Sequence, residues 1–256
     1  MSPLPCIDSH CHCGVQNVAR SWEGLRSHLL AAHVTGAGLI PPVEDIYDRR
    51  DASFVDTPAW QQCRRRAHDY LRSLQDPILT LYPYFFVWND FAWEELDEKY
   101  AAVKWHRHDN EPEYHYDDPR CQEFLARVLA LGLPILLEET LANTLWFIGE
   151  MAPTATVIIP HLGLLNGGYR RLAAAGIWEL PQVYADTALA GTAEIRDYLR
   201  NFGADRLLFG SDYPFGDPVS ERDKLLELDL PLATLSAILA ENWLRLQASR
   251  PSAAGL

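Results

Sequence analysis

Residues 156–163 read TVIIPHLG, residues 182–189 read QVYADTAL and residues 206–214 read RLLFGSDYP. Each is a short apolar run that ends in a histidine or an aspartate. Between them lie GGYRRLAAAG, residues 167–176, and TAEIRDYLRNFG, residues 192–203, both of helical character. Short strands that are apolar on both faces, alternating with helices, indicate a parallel sheet covered on both sides.

The same alternation extends outward from this stretch. Residues 133–140, LPILLEET, and residues 101–108, AAVKWHRH, read as earlier strands, and residues 118–132, DPRCQEFLARVLALG, as the helix between them, ended by Gly132. Residues 78–88, ILTLYPYFFVW, read as another buried strand, and residues 5–10, PCIDSH, as the first. Ser21 and Pro58 open two helices near the N-terminus, by N-capping and by occupying a first turn. A short helix is expected around residues 93–100, WEELDEKY, and helices close the chain over residues 218–230 and 232–247. Seven strands are clear, and an eighth near residues 36–45, GAGLIPPVED, closes a (β/α)8 TIM barrel. The whole chain, 1–256, is read as one such α/β domain, distorted around the second strand.

Composition bounds the function classes. The chain has 256 residues, 48% of them hydrophobic, enough for one substantial core. A net charge of −13 repels phosphate backbones, so nucleic acid is not an expected partner. No stretch has the length of a membrane span, and no basic-then-apolar leader opens the chain. Five cysteines, an odd number, then favour a reducing, cytoplasmic setting. Apolar, tryptophan-bearing outer helices would permit a homodimer. The expected partner is a small-molecule substrate.

In a parallel barrel the active site forms where strands end. Polar residues cluster there: His10, His12, Lys104, His106, Glu138, His161, Asp186 and Asp212. Residues 6–14, CIDSHCHCG, pose a choice between cysteine and histidine chemistry. Strand alternation puts His10 and His12 on one face, toward the barrel mouth, and Cys11 and Cys13 on the other. Two imidazoles on one face are good ligands for zinc or a similar ion. Asp8 is expected to support a ligand from behind. His161 and Asp212 follow apolar runs, and a carboxylate such as Asp212 can ligate a metal or take a proton from acidified water. Residues 106–119, HRHDNEPEYHYDDP, are read as a loop over the mouth, with His108, Tyr114, His115 and Tyr116 as possible substrate contacts and a plain surface loop as the equal alternative. Arg170 and Arg171 read as a solvated helix face.

The set DSHCH, VKWHRH, PILLEET, VIIPHLG and RLLFGSDYPF resembles the amidohydrolase superfamily, in particular the amidohydrolase-related branch of metal-dependent hydrolases and non-oxidative decarboxylases. The resemblance runs from about residue 6 to about residue 246 and is weak between 36 and 58. It implies that His10 and His12 bind metal, that Asp212 binds metal and activates water, and that His161 binds a second metal or polarises the substrate. The branch normally carries a histidine ligand at the end of the fifth strand; here Glu138 and Glu139 stand there, and register favours Glu138 facing inward. A carboxylate binds zinc at a similar distance and suits the harder manganese ion. A divalent metal, zinc first and manganese second, is therefore expected on His10, His12, Glu138, His161 and Asp212. Lys104 is a catalytic candidate with several readings: a carboxylated bridge between two metals, a partner of Glu138 or of an acidic substrate, or a structural salt bridge. The expected reaction is hydrolysis of an amide, lactone or other ester bond through metal-activated water, with Asp212 as base and His161 polarising the oxygen. Non-oxidative decarboxylation of an aromatic or unsaturated acid is the second reading, and a ligand-binding barrel without turnover the third.

Overall fold

The computed structural model describes residues 4–14 and 20–251. Eight strands follow one another around a single parallel sheet in chain order. They are β1 (Ile7–His12), β2 (Gly36–Ile40), β3 (Thr80–Phe86), β4 (Ala102–His106), β5 (Ile135–Glu138), β6 (Val157–Ile159), β7 (Val183–Asp186) and β8 (Leu207–Leu208). Around them lie α1 (Trp22–Ala31), α2 (Pro58–Ser73), α3 (Pro119–Leu131), α4 (Leu141–Trp146), α5 (Tyr169–Ala174), α6 (Thr192–Phe202), α7 (Pro218–Leu226), α8 (Leu232–Ser236) and α9 (Asn242–Ala248). This is the expected (β/α)8 barrel, and β2 is the strand expected near residues 36–45 to close it.

Local chemistry sets the helix ends. The Ser21 side chain accepts from Gly24 N at the start of α1, and Asp118 accepts from Arg120 N ahead of Pro119 in α3. Gly132 ends α3 in the left-handed region at φ 60°, which only glycine enters without cost. The connection from β3 to β4 departs from the expectation. The stretch around residues 93–100 forms only a single 3-10 turn, Trp93–Glu95, rather than a helix. With Trp93 partly exposed and four acidic residues, Glu94, Glu95, Asp97 and Glu98, it has too little apolar face to bury.

The barrel is irregular in two places, both beside β1. Asp8 pairs with Ala37 and Cys11 with Leu39, so β1 carries one extra residue against β2. Gly38 makes the close approach possible, since a Cβ there would stand 2.7 Å from the Ser9 carbonyl oxygen. The bulge also interrupts alternation between residues 8 and 10. The second irregularity is the seam. With only two residues, β8 pairs with β7 but forms no ladder with β1. Three backbone bonds cross the gap instead: Ser9 N to Phe209 O (2.9 Å), Asp212 N to His10 O (2.7 Å) and His12 N to Tyr213 O (2.8 Å). These bonds bring the chain after β8 alongside the histidine pair. No helix among the described residues is long and apolar enough to cross a membrane.

Candidate metal centre

At the mouth, one ring nitrogen each of His10 and His12 and a carboxylate oxygen of Asp212 lie within 4.8 Å of one another. Asp212 Oδ1 is 3.3 Å from His10 Nε2 and 3.2 Å from His12 Nε2. The opposite nitrogens are already committed. His10 Nδ1 meets Asp186 Oδ2 at 2.9 Å, and His12 Nδ1 meets the Pro41 carbonyl oxygen at 3.3 Å. Both partners accept, so the protons sit on Nδ1 and both Nε2 atoms present lone pairs. Two lone pairs and a carboxylate oxygen therefore converge with no proton of their own between them. A divalent cation fits this arrangement, and two imidazoles with one carboxylate suit zinc or manganese.

The electrostatics agree with a cation-ready centre. Burial, reinforced by Lys104, holds His10 well below the usual imidazole range, so it stays neutral. Burial alone would raise Asp212, but a proton carried toward it by His10, His12 or His161 brings it down to about 2. Asp212 is therefore a carboxylate at neutral pH.

His161 stands beside this set. Its Nε2 is 3.8 Å from Asp212 Oδ2, and its Nδ1 donates to the Ala188 carbonyl oxygen at 3.0 Å. Asp186 ties the two histidines together, because its Oδ1 accepts from His161 N at 2.8 Å and from Ala188 N at 3.1 Å while Oδ2 holds His10. The support expected from Asp8 comes from Asp186 instead. Asp8 Oδ1 accepts from the backbone N–H groups of Ser211 and His10, and its carboxyl lies against Cys11. His161 and Asp212 adopt left-handed backbone, with φ of 57° and 56°. That conformation costs a non-glycine residue about 1–3 kcal/mol and persists only where neighbours over-determine it. Here the Asp186 carboxylate and the seam bond from Asp212 N do so. Gly210 leaves the room required, since a Cβ there would stand 3.0 Å from His10 Cβ.

A second cluster joins β4 and β5. Glu138 faces inward, as register suggested, and Glu139 faces out to Tyr116 and Asn143. Lys104 Nζ, fully buried, donates to Glu138 Oε2 at 2.8 Å and lies 3.5 Å from His10 Nε2. Glu138 Oε1 is 2.5 Å from His108 Nε2 and 3.4 Å from His106 Nε2. Arg49 Nη2 reaches His108 Nδ1 at 2.9 Å, and Arg49 is itself held by Glu111, which also accepts from the Tyr47 hydroxyl at 2.7 Å. Burial would raise Glu138, yet Lys104 and His106 hold it well below the usual carboxylate range. Burial pushes His106 down to about 4. His10, His12 and Asp212 thus assemble together, Glu138 sits with Lys104, His106 and His108, and His161 stands between the two, its Nε2 3.8 Å from Asp212 Oδ2 and 3.9 Å from Glu138 Oε2.

A cavity of about 210 Å³ opens onto both clusters. His12, Asp212, Glu138, His106, His108 and Arg49 form its polar side, and Val43, Leu165, Leu189 and Phe215 its apolar side. Of the loop residues proposed as contacts, only His108 lines it. Tyr114 is buried and bonds to the Val87 carbonyl oxygen, Tyr116 binds Glu139, and His115 is exposed. Arg170 and Arg171 are exposed helix residues, as expected. Sequence reasoning missed Arg49, Glu111, Leu165, Leu189 and Phe215. Leu165, Leu189 and Phe215 each follow a strand-end histidine or aspartate by three or four residues, a spacing that marks the mouth loops. Nothing in the sequence around Arg49 signals its place.

A larger cavity, about 390 Å³, lies beside α2 and the start of β3, away from these groups. Its lining, which includes Arg72 and Lys99, holds no candidate site residue.

Comparison with known proteins agrees with this architecture. No curated protein matches the sequence. Solved structures do. 2,6-Dihydroxybenzoate decarboxylase from Rhizobium has 17% identity and a TM-score of 0.69, covering 97% of this chain and 99% of its own. A dihydroxybenzoic acid decarboxylase from Polaromonas, solved with manganese and 2-nitroresorcinol, has 16% identity and a TM-score of 0.70, covering 96% and 97%. A candidate 2-pyrone-4,6-dicarboxylic acid hydrolase from Pseudomonas putida has 15% identity and a TM-score of 0.65, covering 96% and 98%. At these identities they share the barrel. The amidohydrolase family is matched in sequence over residues 94–246, more than half of the chain and a span that includes Lys104, Glu138, His161 and Asp212. With a metal-competent histidine and aspartate cluster at the mouth of that barrel, the chain belongs to the amidohydrolase family as a metal-dependent catalytic barrel.

Proposed function

We propose that this protein is a metal-dependent hydrolase of a small organic substrate with an amide, lactone or other ester bond. The observation that carries the reading is the division of labour within Asp212. Its Oδ1 faces the two Nε2 lone pairs, and its Oδ2 faces His161. A divalent ion held by His10, His12 and Asp212, zinc before manganese, would supply Lewis acidity, polarising a substrate oxygen and acidifying a water. Asp212 Oδ2 then takes the water's proton. His161 presents a lone pair at Nε2 while neutral, so it stabilises developing negative charge only after accepting a proton there. Asp212 Oδ2, 3.8 Å away, would pass one on through a bridging water. His161 next donates that proton to the leaving group. The cavity holds a molecule of modest size, with its apolar part against Phe215, Leu165 and Leu189.

Non-oxidative decarboxylation is the second reading. It is favoured by Arg49 and His108 sharing one small cavity with apolar side chains, a lining that suits an aromatic carboxylate. Similar barrels bear the names of dihydroxybenzoate decarboxylases. The test strips the protein with a chelator, reloads it with zinc or manganese, and offers lactones, esters and amides alongside aromatic acids. Metal-dependent acid release supports hydrolysis. Carbon dioxide release without acid release transfers the function to the second reading. Turnover of neither, with metal bound, leaves a ligand-binding barrel.

A further inference from the structure

We infer that Glu138 stands outside the metal's ligand set and acts as the counterion of Lys104, so that the centre takes one ion rather than two. This rests on the reading that the centre binds a metal at all.

The contacts of Glu138 carry the argument. Oε2 accepts from Lys104 Nζ at 2.8 Å and Oε1 from His108 Nε2 at 2.5 Å. Its ligand-competent neighbours are His106 and His108, with His161 Nε2 at 3.9 Å from the Oε2 already given to Lys104, and it is not grouped with His10, His12 and Asp212. That second trio looks like another metal site but fails on its protons. An arginine N–H can only donate, so Arg49 Nη2 at 2.9 Å makes His108 Nδ1 the acceptor. The His108 proton therefore resides on Nε2, where it is given to Glu138, and no lone pair remains there for an ion.

Lys104 excludes the other route to two ions. A lysine that bridges metals as a carbamate has given up its positive charge. Here the Lys104 amine is enclosed between Glu138 and His10, and a carbamate would set a second anion directly against the Glu138 carboxylate. The ammonium is the form that fits. Lying 3.5 Å from His10 Nε2, it repels a divalent ion on that nitrogen, and the Glu138 carboxylate offsets the repulsion. Glu138 thus positions charge and holds His108 at the cavity wall, in place of donating to the metal.

A charge-balanced variant separates this role from ligation. Zinc and manganese are titrated into metal-free protein against a competing chelator dye, and bound metal per chain is counted by elemental analysis. The wild type is expected to take one ion. Glu138→Gln leaves Lys104 uncompensated and should weaken binding at least about tenfold. Lys104→Met with Glu138→Gln removes both charges and should return affinity to within about threefold of wild type, whereas His12→Ala should lose at least about a hundredfold as a true ligand. If Glu138→Gln does not fold, the double variant against wild type carries the comparison alone. Equal weakness of the single and double variants would make Glu138 a ligand and overturn the inference. Unchanged affinity in Glu138→Gln would remove its compensating role. Two ions per chain, or a lysine carbamate signal in carbon-13 NMR after incubation with labelled bicarbonate, would overturn the one-ion centre. A wild type that takes no ion refutes the metal reading itself, and the inference with it.

Discussion

Asp186→Asn is the sharpest probe of how the site is built. The aspartate accepts three hydrogen bonds, from His10 Nδ1, His161 N and Ala188 N. Asparagine has one accepting oxygen. Turning that oxygen to the two backbone N–H groups preserves two bonds and points the amide NH2 at His10 Nδ1. His10 must then accept there, and its proton moves to Nε2, the atom that faces Asp212. Loss of such a supporting partner lowers metal affinity by about 10- to 100-fold, or about 1.4–2.7 kcal/mol. Metal-free stability should change much less, because burial already raises the Asp186 carboxyl above its usual range and a neutral amide avoids that cost. Competition titration with zinc measures the affinity, and thermal unfolding with and without metal measures the stability. An Asp186→Asn protein that binds zinc within about twofold of wild type would refute the claim that Asp186 sets the His10 tautomer.

Metal itself should stabilise the fold: at a free concentration one hundred times Kd the gain is about 2.7 kcal/mol, raising Tm by about 5–10 °C for a domain of this size, and a chelator should reverse it. Arg64→Met should cost about 3–5 kcal/mol in denaturant unfolding, because Arg64 Nη2 lies 2.6 Å from both Asp56 and Asp90 and its loss strands two carboxylates. His68 makes stability fall in acid. Burial, with Arg64, pushes it down to about 3, so between that value and the ordinary 6.5 the unfolded chain binds a proton that the native chain refuses. Its contribution is complete above pH 6.5 and is lost as pH falls toward 3. His68→Gln, which can still accept from Phe86 N through its amide oxygen, should flatten that part of the stability profile measured by urea unfolding.

Much of the barrel is legible in the order of its elements. The strand-end histidines and aspartates stand out because a parallel strand is apolar along its length and changes character where it leaves the sheet. β2 was legible only as a requirement of closure, since GAGLI is too small and glycine-rich to show a period. The expected distortion near the second strand lies in its pairing with β1, and the bulge there decides that Asp8 faces Cys11 and Ser211 while Asp186 supports His10. Alternation along one strand could not reveal that, because the register of two strands fixes where the extra residue sits. The loop after β2 carries Tyr47 and Arg49, which reach Glu111 and His108 across the mouth. Such pairings lie about sixty residues apart and follow no local period.

By itself the sequence determined the chemistry available at the mouth: two imidazoles in register on β1, an inward Glu138 on β5, His161 and Asp212 after apolar runs, and a lysine on β4. These are properties of residue type and of period along single elements. Only the tertiary structure decided how that chemistry is shared. The seam bonds place Asp212 against His10 and His12, while Lys104 and His108 draw Glu138 into a separate cluster. The physical reason is that a ligand set is defined by distances of a few ångströms between strands far apart in the chain, and by which ring nitrogen carries each proton. Both are fixed by neighbours that only folding supplies.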